Sequence, residues 1–350
     1  MRTVFWENGQ LWMIDQRLLP ETFTVVSYRT HTEVAQAIQE MVVRGAPAIG
    51  AAAAFGLALA AFESRAQTAG DLLSDLQAAA VTLKAARPTA VNLAWAVERV
   101  LQSATRVSPS SADELRAWVL SEAQKLADED VEVNKRMATH GAELIADGDT
   151  IVHHCNTGAL ATVDWGTALG VIRMAWEQGK RIHVLVDETR PRLQGARLTA
   201  WELEQYGIPY EIISDNMSGY FMRAGKVQKV LFGADRITAN GDVANKIGTY
   251  MLALAAHDNG IPAYSVAPTS TIDLSLEHGG LIPIEERNPA EVLEIQLAGE
   301  RVTPRNAKAR NPAFDVTPNR LITAIVTENG IAYPPFEVSL RKCVRRDSSF

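Results

Sequence analysis

The spacing of apolar and polar positions divides this chain into two parts that favour different secondary structure. Over residues 1–30, apolar and polar positions alternate around a turn at Leu19-Pro20, which predicts a small antiparallel β unit. Helical spacing follows over 34–42, over the Ala-rich stretch 46–62 and over further segments up to about residue 101. The serine-rich stretch 103–111 is typical of a linker.

The second part begins after a long charged helix, which a capping-box pattern at 111–114 predicts. From Thr150 onwards, short β-rich runs alternate with helical patterns, as in right-handed βαβ units of a parallel sheet. The chain is therefore predicted to be an α/β protein with a small N-terminal α+β domain and a Rossmann-like parallel-sheet domain. The predicted boundaries are 1–111 for the first domain, 112–146 for a connecting helix and 147–350 for the second.

The uncharged stretch 46–62 is close to the length that spans a membrane. It consists mainly of Ala and Gly between Arg44 and Glu63, and such small residues also let helices pack closely in a core. We expect a buried core helix and no membrane partner. The N-terminus has no signal-peptide character, and two cysteines cannot form a disulfide framework, so a cytoplasmic location is predicted.

Charge limits the classes of ligand that the chain can bind. With 34 Lys and Arg against 41 Asp and Glu, the net charge is −7, which argues against a nucleic-acid partner. A small phosphorylated substrate remains possible, because one phosphate needs only local N–H groups and one or two arginines. The chain has neither G-x-G-x-x-G nor a P-loop, so no nucleotide cofactor is predicted.

Each predicted parallel strand ends in a polar or turn residue: Cys155, Asp187, Asp215, Asp235 and Pro268. Ligands of open parallel sheets bind outside these carboxyl ends, so we expect the functional site there. Cys155 precedes a helix predicted from about Thr162, a position that favours the reactive thiolate, although a structural core cysteine fits equally well. His153 and His154 should point to opposite faces of their strand, so no metal site is predicted.

Asp235 and three cationic positions complete the candidates. A partly buried Asp235 would retain its proton and could act as a general acid, but loop capping or pairing with Arg236 explains it as well. Arg44, Arg87 and Asn245-Lys246 stand at predicted helix boundaries, the last opening the helix that follows. Helix N-termini often bind phosphate, and solvated surface cations would show the same pattern.

Longer motifs follow one another in a fixed order along nearly the whole chain, at 6–9, 41–50, 87–93, 154–158, 187–195, 233–236, 245–249 and 311–318. Together they resemble the methylthioribose-1-phosphate isomerases of methionine salvage, which are relatives of initiation-factor regulatory subunits. The resemblance implies a homodimer that acts on a small sugar phosphate without a metal or other cofactor. It assigns catalysis to Cys155 and Asp235. The substrate contacts that it implies are Arg44, Ala46, Arg87, Gln194, Asn245 and Lys246.

The reaction implied by the resemblance suits these residue types. The anomeric oxygen of the furanose carries phosphate, so isomerisation must break the ring C–O bond and move hydrogen from C2 to C1. We expect Asp235 to protonate the ring oxygen and Cys155 to act as the base at C2. The reverse assignment and a hydride shift remain open.

Three other functions remain as alternatives. A non-catalytic regulatory subunit shares the fold, but the resemblance implies that this branch lacks the Cys–Asp pair. A ribose-1,5-bisphosphate isomerase would need a cation for its second phosphate, and the segments at Trp6 and Leu19-Pro20 resemble the methylthioribose branch more. A cysteine-dependent hydrolase would need a nucleophile-elbow signature, which the chain lacks.

Overall fold

The computed structural model describes residues 1–88, 90–107 and 109–345. Thr89 of one quoted motif and Ser108 of the predicted linker lie outside these described residues. The chain forms two compact units: unit 1 comprises 1–134 with 157–166, and unit 2 comprises 135–156 and the chain from 167 onwards. The division between the units falls inside a helix, and the predicted boundaries at 111 and 146 stay a prediction.

Unit 1 combines a small antiparallel sheet with long helices. Its strands are β1 (Val4–Glu7), β2 (Gln10–Ile14) and β3 (Val25–Tyr28), paired in that order, which confirms the predicted β unit. Its helices are α1 (His31–Gln39), α2 (Ala46–Glu63), α3 (Ala69–Ala86), α4 (Val91–Arg106) and the part of α5 (Ala112–Ala142) up to residue 134. Capping residues mark the N-termini of two of these helices. Thr30 and Glu33 form a capping box before α1, and Ser111 accepts the Glu114 N–H before α5.

The apolar helix α2 forms the centre of the unit 1 core. Its mean hydropathy of 1.6 over 18 residues would suit a membrane span, but 78% of that stretch is buried within the protein. Its Ala and Gly residues allow α1, α3 and α4 to pack against it, and Pro47 stands in its first turn. The prediction of a buried core helix is confirmed.

Unit 2 is built on a seven-stranded sheet in the order β16-β15-β10-β7-β4-β5-β6. The chain runs through β4 (Thr150–His153), α6 (Ala168–Glu177), β5 (His183–Asp187), α7 (Ala200–Tyr206), β6 (Tyr210–Ile213), α8 (Ser218–Arg223) and β7 (Lys229–Phe232). After the insertion described next, β10 (Ala263–Val266), β15 (Ala324–Thr327), β16 (Gly330–Ala332) and α11 (Phe336–Arg345) complete it. All neighbouring strands are parallel except β15 and β16, which confirms the predicted parallel-sheet domain.

A second, mixed sheet extends unit 2 and corrects one prediction. It contains β8 (Arg236–Thr238), β9 (Val243–Lys246), β11 (Ile272–Asp273) and β14 (Phe314–Thr317) in the order β11-β8-β9-β14. Helix α9 (Thr249–Asp258) follows β9, while α10 (Ala290–Leu293) and the hairpin β12 (Gln296–Leu297)–β13 (Glu300–Arg301) precede β14. Asn245 and Lys246 therefore end a strand and do not open a helix, because β14 pairs with them across the sheet.

The segment after Cys155 corrects a second prediction. No helix begins at Thr162: residues Ala159–Ala161 form a single 3₁₀ turn, and α6 starts at Ala168. A β-bridge between Gly158 and Gly166 closes this segment into a loop, which leaves no room for a helix. Cys155 consequently does not stand at a helix N-terminus.

Candidate active site

Cys155 lies just beyond β4 in an unusual backbone conformation. Its φ is +71°, in the left-handed region that residues with a side chain seldom adopt, and only 6% of the residue is exposed. Its N–H donates to Thr189 Oγ1 at 2.9 Å, and Thr199 Oγ1 donates to its carbonyl at 2.7 Å. Both backbone groups of Cys155 are thus bound by buried threonine hydroxyls. Strained residues held in this way are concentrated at functional sites.

Gln194, one of the predicted substrate contacts, lies against the Cys155 thiol. Its Nε2 donates to Cys155 Sγ at 3.3 Å, and only 7% of the residue is exposed. Within residues 1–88, 90–107 and 109–345, no group donates to its buried Oε1. Gln194 and Lys246 line the same cleft, together with Arg192 and Arg287. An unsatisfied buried acceptor at a cleft favours a ligand that brings a hydroxyl or N–H group.

Asp235 is brought to the predicted sheet edge. It follows β7, which pairs in parallel with β4, so Asp235 and Cys155 follow neighbouring strands at the same carboxyl edge. The Asp235 N–H donates to the carbonyl of Ala244 at 2.9 Å, next to Asn245. Arg236 pairs with Asp273 at 2.8 Å.

Asn245 and Lys246, at the end of β9, have fixed side chains. Asn245 is 4% exposed and donates to Thr249 Oγ1 at 2.9 Å. Lys246 Nζ donates to the carbonyl of Ala313 at 3.0 Å and lies 4.2 Å from the ring centre of Phe314. Lys246 thus places a cation at the end of β9, held by a carbonyl and by an aromatic ring.

His154 is held as a buried cation beside Cys155. Its Nδ1 lies 2.9 Å from Asp187 Oδ2 and its Nε2 lies 3.0 Å from the carbonyl of Ile247, and both partners accept hydrogen bonds. Desolvation by burial works against the imidazolium, but the hydrogen bond and charge of Asp187, with the charges of Cys155 and Asp215, raise the pKa of His154 to about 9. Ser218 also donates to Asp187.

Three of these groups lie close enough to suggest a cation site. Ligand atoms of His154, Asp187 and Asp215 are within 4.8 Å of one another. Each is already engaged: both His154 nitrogens as above, and the Asp215 oxygens by the backbone N–H groups of Thr189 and Arg190 at 2.7 and 2.8 Å. A histidine binds a metal ion only through a deprotonated ring nitrogen, and both nitrogens of His154 face hydrogen-bond acceptors. The cluster is therefore a hydrogen-bond network.

Unit 1 contains the remaining predicted substrate residues. Arg44 is half-buried and precedes Gly45, whose φ is +92° at the start of α2. A Cβ on Gly45 would lie 2.2 Å from the carbonyl oxygen of Ala161, so only glycine fits there. Ala46 is the first residue of α2 and is exposed, and Arg87 follows the end of α3 and is half-buried. The other five predicted site residues belong to unit 2.

Sequence reasoning missed Thr189, Thr199 and the pairing of His154 with Asp187. Thr189 falls in the quoted motif 187–195, which was one available signal. Thr199 lies outside every quoted motif, and its role depends on a hydrogen bond to a residue 44 positions away. No local pattern reveals such a partner.

Comparison with known proteins gives the family. The profile of the initiation factor 2 subunit family matches residues 42–334. A methylthioribose-1-phosphate isomerase of Synechococcus is 54% identical over 97% of this chain and 97% of the relative. Another, of Roseiflexus castenholzii, is 54% identical over 98% of both. The chain belongs to this isomerase family.

Solved structures confirm the fold. The 5-methylthioribose 1-phosphate isomerase of Pyrococcus horikoshii superposes with a TM-score of 0.94 and 49% identity, covering 99% of this chain and 96% of that one. A structure from A. fulgidus, named as the delta subunit of translation initiation factor eIF-2B, has a TM-score of 0.91 and 47% identity over 99% of both chains. The predicted α/β architecture with a Rossmann-like domain is the fold of this family.

Proposed function

We propose that this chain converts 5-methylthioribose 1-phosphate into 5-methylthioribulose 1-phosphate, with Cys155 and Asp235 as its catalytic residues. The assignment of Cys155 and Asp235 rests on one observation. At the carboxyl edge of the sheet, a strained, buried Cys155 contacts Gln194, which lines a cleft and whose buried amide oxygen receives no hydrogen bond from the described residues. Asp235 follows the neighbouring strand. The chain is an isomerase by its family, and these positions support Cys155 and Asp235 as its catalytic residues.

In the proposed mechanism, an acid and a base exchange two protons with the substrate. Asp235 donates a proton to the ring oxygen as the C1–O bond breaks, while Cys155 removes the proton from C2, leaving an enol between C1 and C2. The C2 hydroxyl then returns its proton to Asp235 as the C2 carbonyl forms, and Cys155 delivers its proton to C1. Both groups regain their starting states, so no co-reactant is consumed. General acid–base catalysis of this kind contributes about 10²–10⁴-fold each.

Substrate binding is assigned to the remaining predicted residues. Gln194 Oε1 accepts a hydrogen bond from a sugar hydroxyl, and Asn245 offers a polar side chain at the end of β9. Arg44 and Arg87 bind phosphate, since charge-assisted hydrogen bonds to phosphate are strong. Lys246 is assigned as a further substrate contact. Ala46, the first residue of α2, contacts the substrate through its backbone N–H.

A second candidate is a non-catalytic regulatory role. The name of the A. fulgidus structure favours it, at 47% identity to this chain. Turnover separates the two functions, because a regulatory subunit has no need of a strained, buried thiol beside an amide whose oxygen receives no hydrogen bond from the described residues.

The test offers the purified protein 5-methylthioribose 1-phosphate and ribose 1,5-bisphosphate, each labelled with ¹³C at C1 and C2, and follows both carbons by NMR. We expect conversion of the methylthio sugar, with C2 moving to a ketone shift. In deuterated water, deuterium at C1 indicates proton transfer, because a hydride shift carries the C2 hydrogen of the substrate to C1 without exchange. Conversion of neither sugar favours the regulatory role, and preferred conversion of the bisphosphate assigns the related isomerase activity.

We also propose that the protein is a cytoplasmic homodimer. The family resemblance implies a second copy. Apolar side chains of Tyr220 on α8 and of Met251 and Leu254 on α9 are 71%, 66% and 41% exposed, which is typical of surfaces that associate. The burial of α2 and the reduced state of Cys155 and Cys343, which form no disulfide, support a cytoplasmic location.

A further inference from the structure

The backbone of Cys155 is held by two hydroxyl groups that the reaction itself does not need. We propose that Thr189 and Thr199 are positioning residues, which fix the Cys155 peptide in its left-handed conformation so that the thiol meets Gln194 and the substrate. This inference rests on the proposed catalytic role of Cys155. Its basis is a pair of buried hydrogen bonds, one at each side of a strained residue.

Thr189 fixes the N–H side. Its hydroxyl accepts the Cys155 N–H at 2.9 Å and donates to the carbonyl of Asp187 at 3.1 Å, so both functions of the hydroxyl are used. Its own φ is +60°, rare for a β-branched residue, and its N–H is bound by Asp215 Oδ1 at 2.7 Å. Thr189, just beyond β5, is thus held in place by contacts other than its hydrogen bond to Cys155.

Thr199 fixes the carbonyl side. Its hydroxyl donates to the Cys155 carbonyl at 2.7 Å and accepts from Asn156 Nδ2 at 3.2 Å. It is the last residue of a π-helical turn, Gly195–Thr199, that begins directly after Gln194. One short segment therefore carries both the amide that contacts Sγ and the hydroxyl that binds the carbonyl. π-Helical turns occur frequently at functional sites.

The hydrogen bonds from Thr189 and Thr199 determine the direction in which the Cys155 side chain points. A left-handed φ at a residue with a Cβ is unfavourable, and persists only where the surroundings impose it. When either hydroxyl is removed, the Cys155 peptide can rotate towards an ordinary conformation, which moves Cβ and Sγ away from Gln194. A displacement of about 1 Å at a reacting group can cost 10²-fold in rate.

The test uses Thr189→Val and Thr199→Val, which keep the shape of threonine and remove the hydroxyl, beside Thr189→Ser and Thr199→Ser, which retain it. Thr327→Val is the matched control. Thr327 is equally buried, and its hydroxyl donates to the carbonyl of Gly330 at 2.9 Å and accepts the Asn329 N–H at 3.2 Å. It lies on β15, separated from β4 by β10 and β7.

We expect kcat to fall about 10–100-fold in each valine variant, with KM changed less than about threefold, because positioning acts on the transition state. Serine at either position should restore kcat to within about fivefold of the parent, and Thr327→Val should lower the melting temperature without changing kcat. If a valine variant does not fold, the corresponding alanine variant, which leaves space for a water molecule, is measured in its place. A folded valine or alanine variant with parental kcat, or an equal loss of kcat in Thr327→Val, overturns the proposal.

Measuring Cys155→Ser in the same experiment distinguishes failure of the positioning role from failure of the proposed catalytic role of Cys155. If Cys155→Ser is inactive while the threonine variants keep full turnover, only the positioning role fails. If Cys155→Ser turns over like the parent, the proposed catalytic role of Cys155 fails, and the positioning role fails with it.

Discussion

At the scale of single residues, the position of Cys155 depends on how the buried polar groups around it are paired by hydrogen bonds. Buried N–H, carbonyl and ring nitrogen groups are costly to leave unpaired, so each pairing fixes a position. Here the pairings run from Cys155 to Thr189, Thr199 and Gln194. A substitution that keeps the shape of a side chain and removes one polar group therefore reports on that group alone.

Cys155→Ser should fold normally and lose about 10²–10⁴-fold in kcat, because an alcohol stays protonated near neutral pH and cannot replace the thiolate that removes the C2 proton. Cys343, in α11, is buried in the core cluster of unit 2, and Cys343→Ala should keep parental kcat at some cost in stability. Turnover and alkylation by iodoacetamide are measured on both variants. Inactivation that persists in Cys155→Ser would place the sensitive thiol elsewhere.

Asp235→Asn should lower kcat by about 10²–10⁴-fold, because an amide cannot donate an acidic proton to the ring oxygen. KM should change little, since the lost interaction forms mainly in the transition state. Steady-state kinetics combined with a direct measurement of substrate binding check this. Loss of binding or of folding in this variant would make Asp235 a structural anchor.

Stability should depend on pH through His154. Its pKa rises from an ordinary 6.5 to about 9, so the folded chain binds this proton more tightly than the unfolded chain. The resulting stabilisation is complete below about pH 6.5 and is lost as the pH rises through about 9, up to about 3 kcal/mol in all. Urea unfolding of the parent from pH 6 to pH 10 should show this fall.

In His154→Gln the fall between pH 6.5 and pH 9 should be much smaller. His257→Gln, which replaces an exposed histidine of α9, should keep the parental dependence. Parallel curves for the parent and His154→Gln would show that the His154–Asp187 pair is not charged in the folded protein.

At the scale of elements, the π-helical turn Gly195–Thr199 lies where it does because its first residue packs directly against the backbone of Asp187. A Cβ on Gly195 would lie 1.8 Å from the carbonyl oxygen of Asp187, so the turn can lie against the end of β5 only when residue 195 has no side chain. This approach brings Gln194 and Thr199 to Cys155 from the two ends of the turn.

Gly195→Ala should therefore destabilise the protein by about 1–3 kcal/mol or more, because backbone must move to admit the methyl group. It should also lower kcat, since the turn carries both Gln194 and Thr199. Gly219→Ala in α8 is the matched control. Its Cβ meets only the Ala255 side chain at 3.7 Å, and alanine in a helix should be neutral or stabilising by up to about 1 kcal/mol. Equal melting temperatures for the two variants would contradict this account of Gly195.

At the scale of the whole molecule, two units are stabilised by two different kinds of core. In unit 1 the core is made of helices around the alanine-rich α2, which packs closely because its side chains are small. In unit 2 the core lies on a parallel sheet whose strands are rich in Val, Ile and Leu, as sheets covered on both faces require.

The proposed homodimer belongs to this scale. Light scattering should give the mass of two chains from low to high micromolar concentration. Met251→Glu should shift the mass towards one chain, because it places a charge in the exposed apolar surface of α8 and α9. Val81→Glu, an equally exposed apolar residue on α3, should leave the mass unchanged. A mass of one chain for the parent at every concentration would rule out the homodimer.

The sequence by itself determined the class of the fold and the edge of the sheet at which Cys155 and Asp235 lie. Hydrophobic periodicity is a local property, so alternating β and helical patterns are enough to predict a parallel sheet. The carboxyl ends of parallel strands share one edge of the sheet whatever the strand order. The sequence therefore predicts that Cys155 and Asp235 lie at the same edge, and the structure adds that their strands, β4 and β7, are neighbours.

Only the tertiary structure decided the conformation of Cys155, the loop that replaces the helix expected after it, and the strand that contains Asn245 and Lys246. Each depends on partners far away in the chain: His154 and Asp187 are 33 residues apart, Cys155 and Thr199 are 44 apart, and Lys246 pairs with Phe314 across the second sheet. Local sequence patterns carry no record of such pairings, because a buried hydroxyl or carboxylate finds its partner only when the strands and turns have packed.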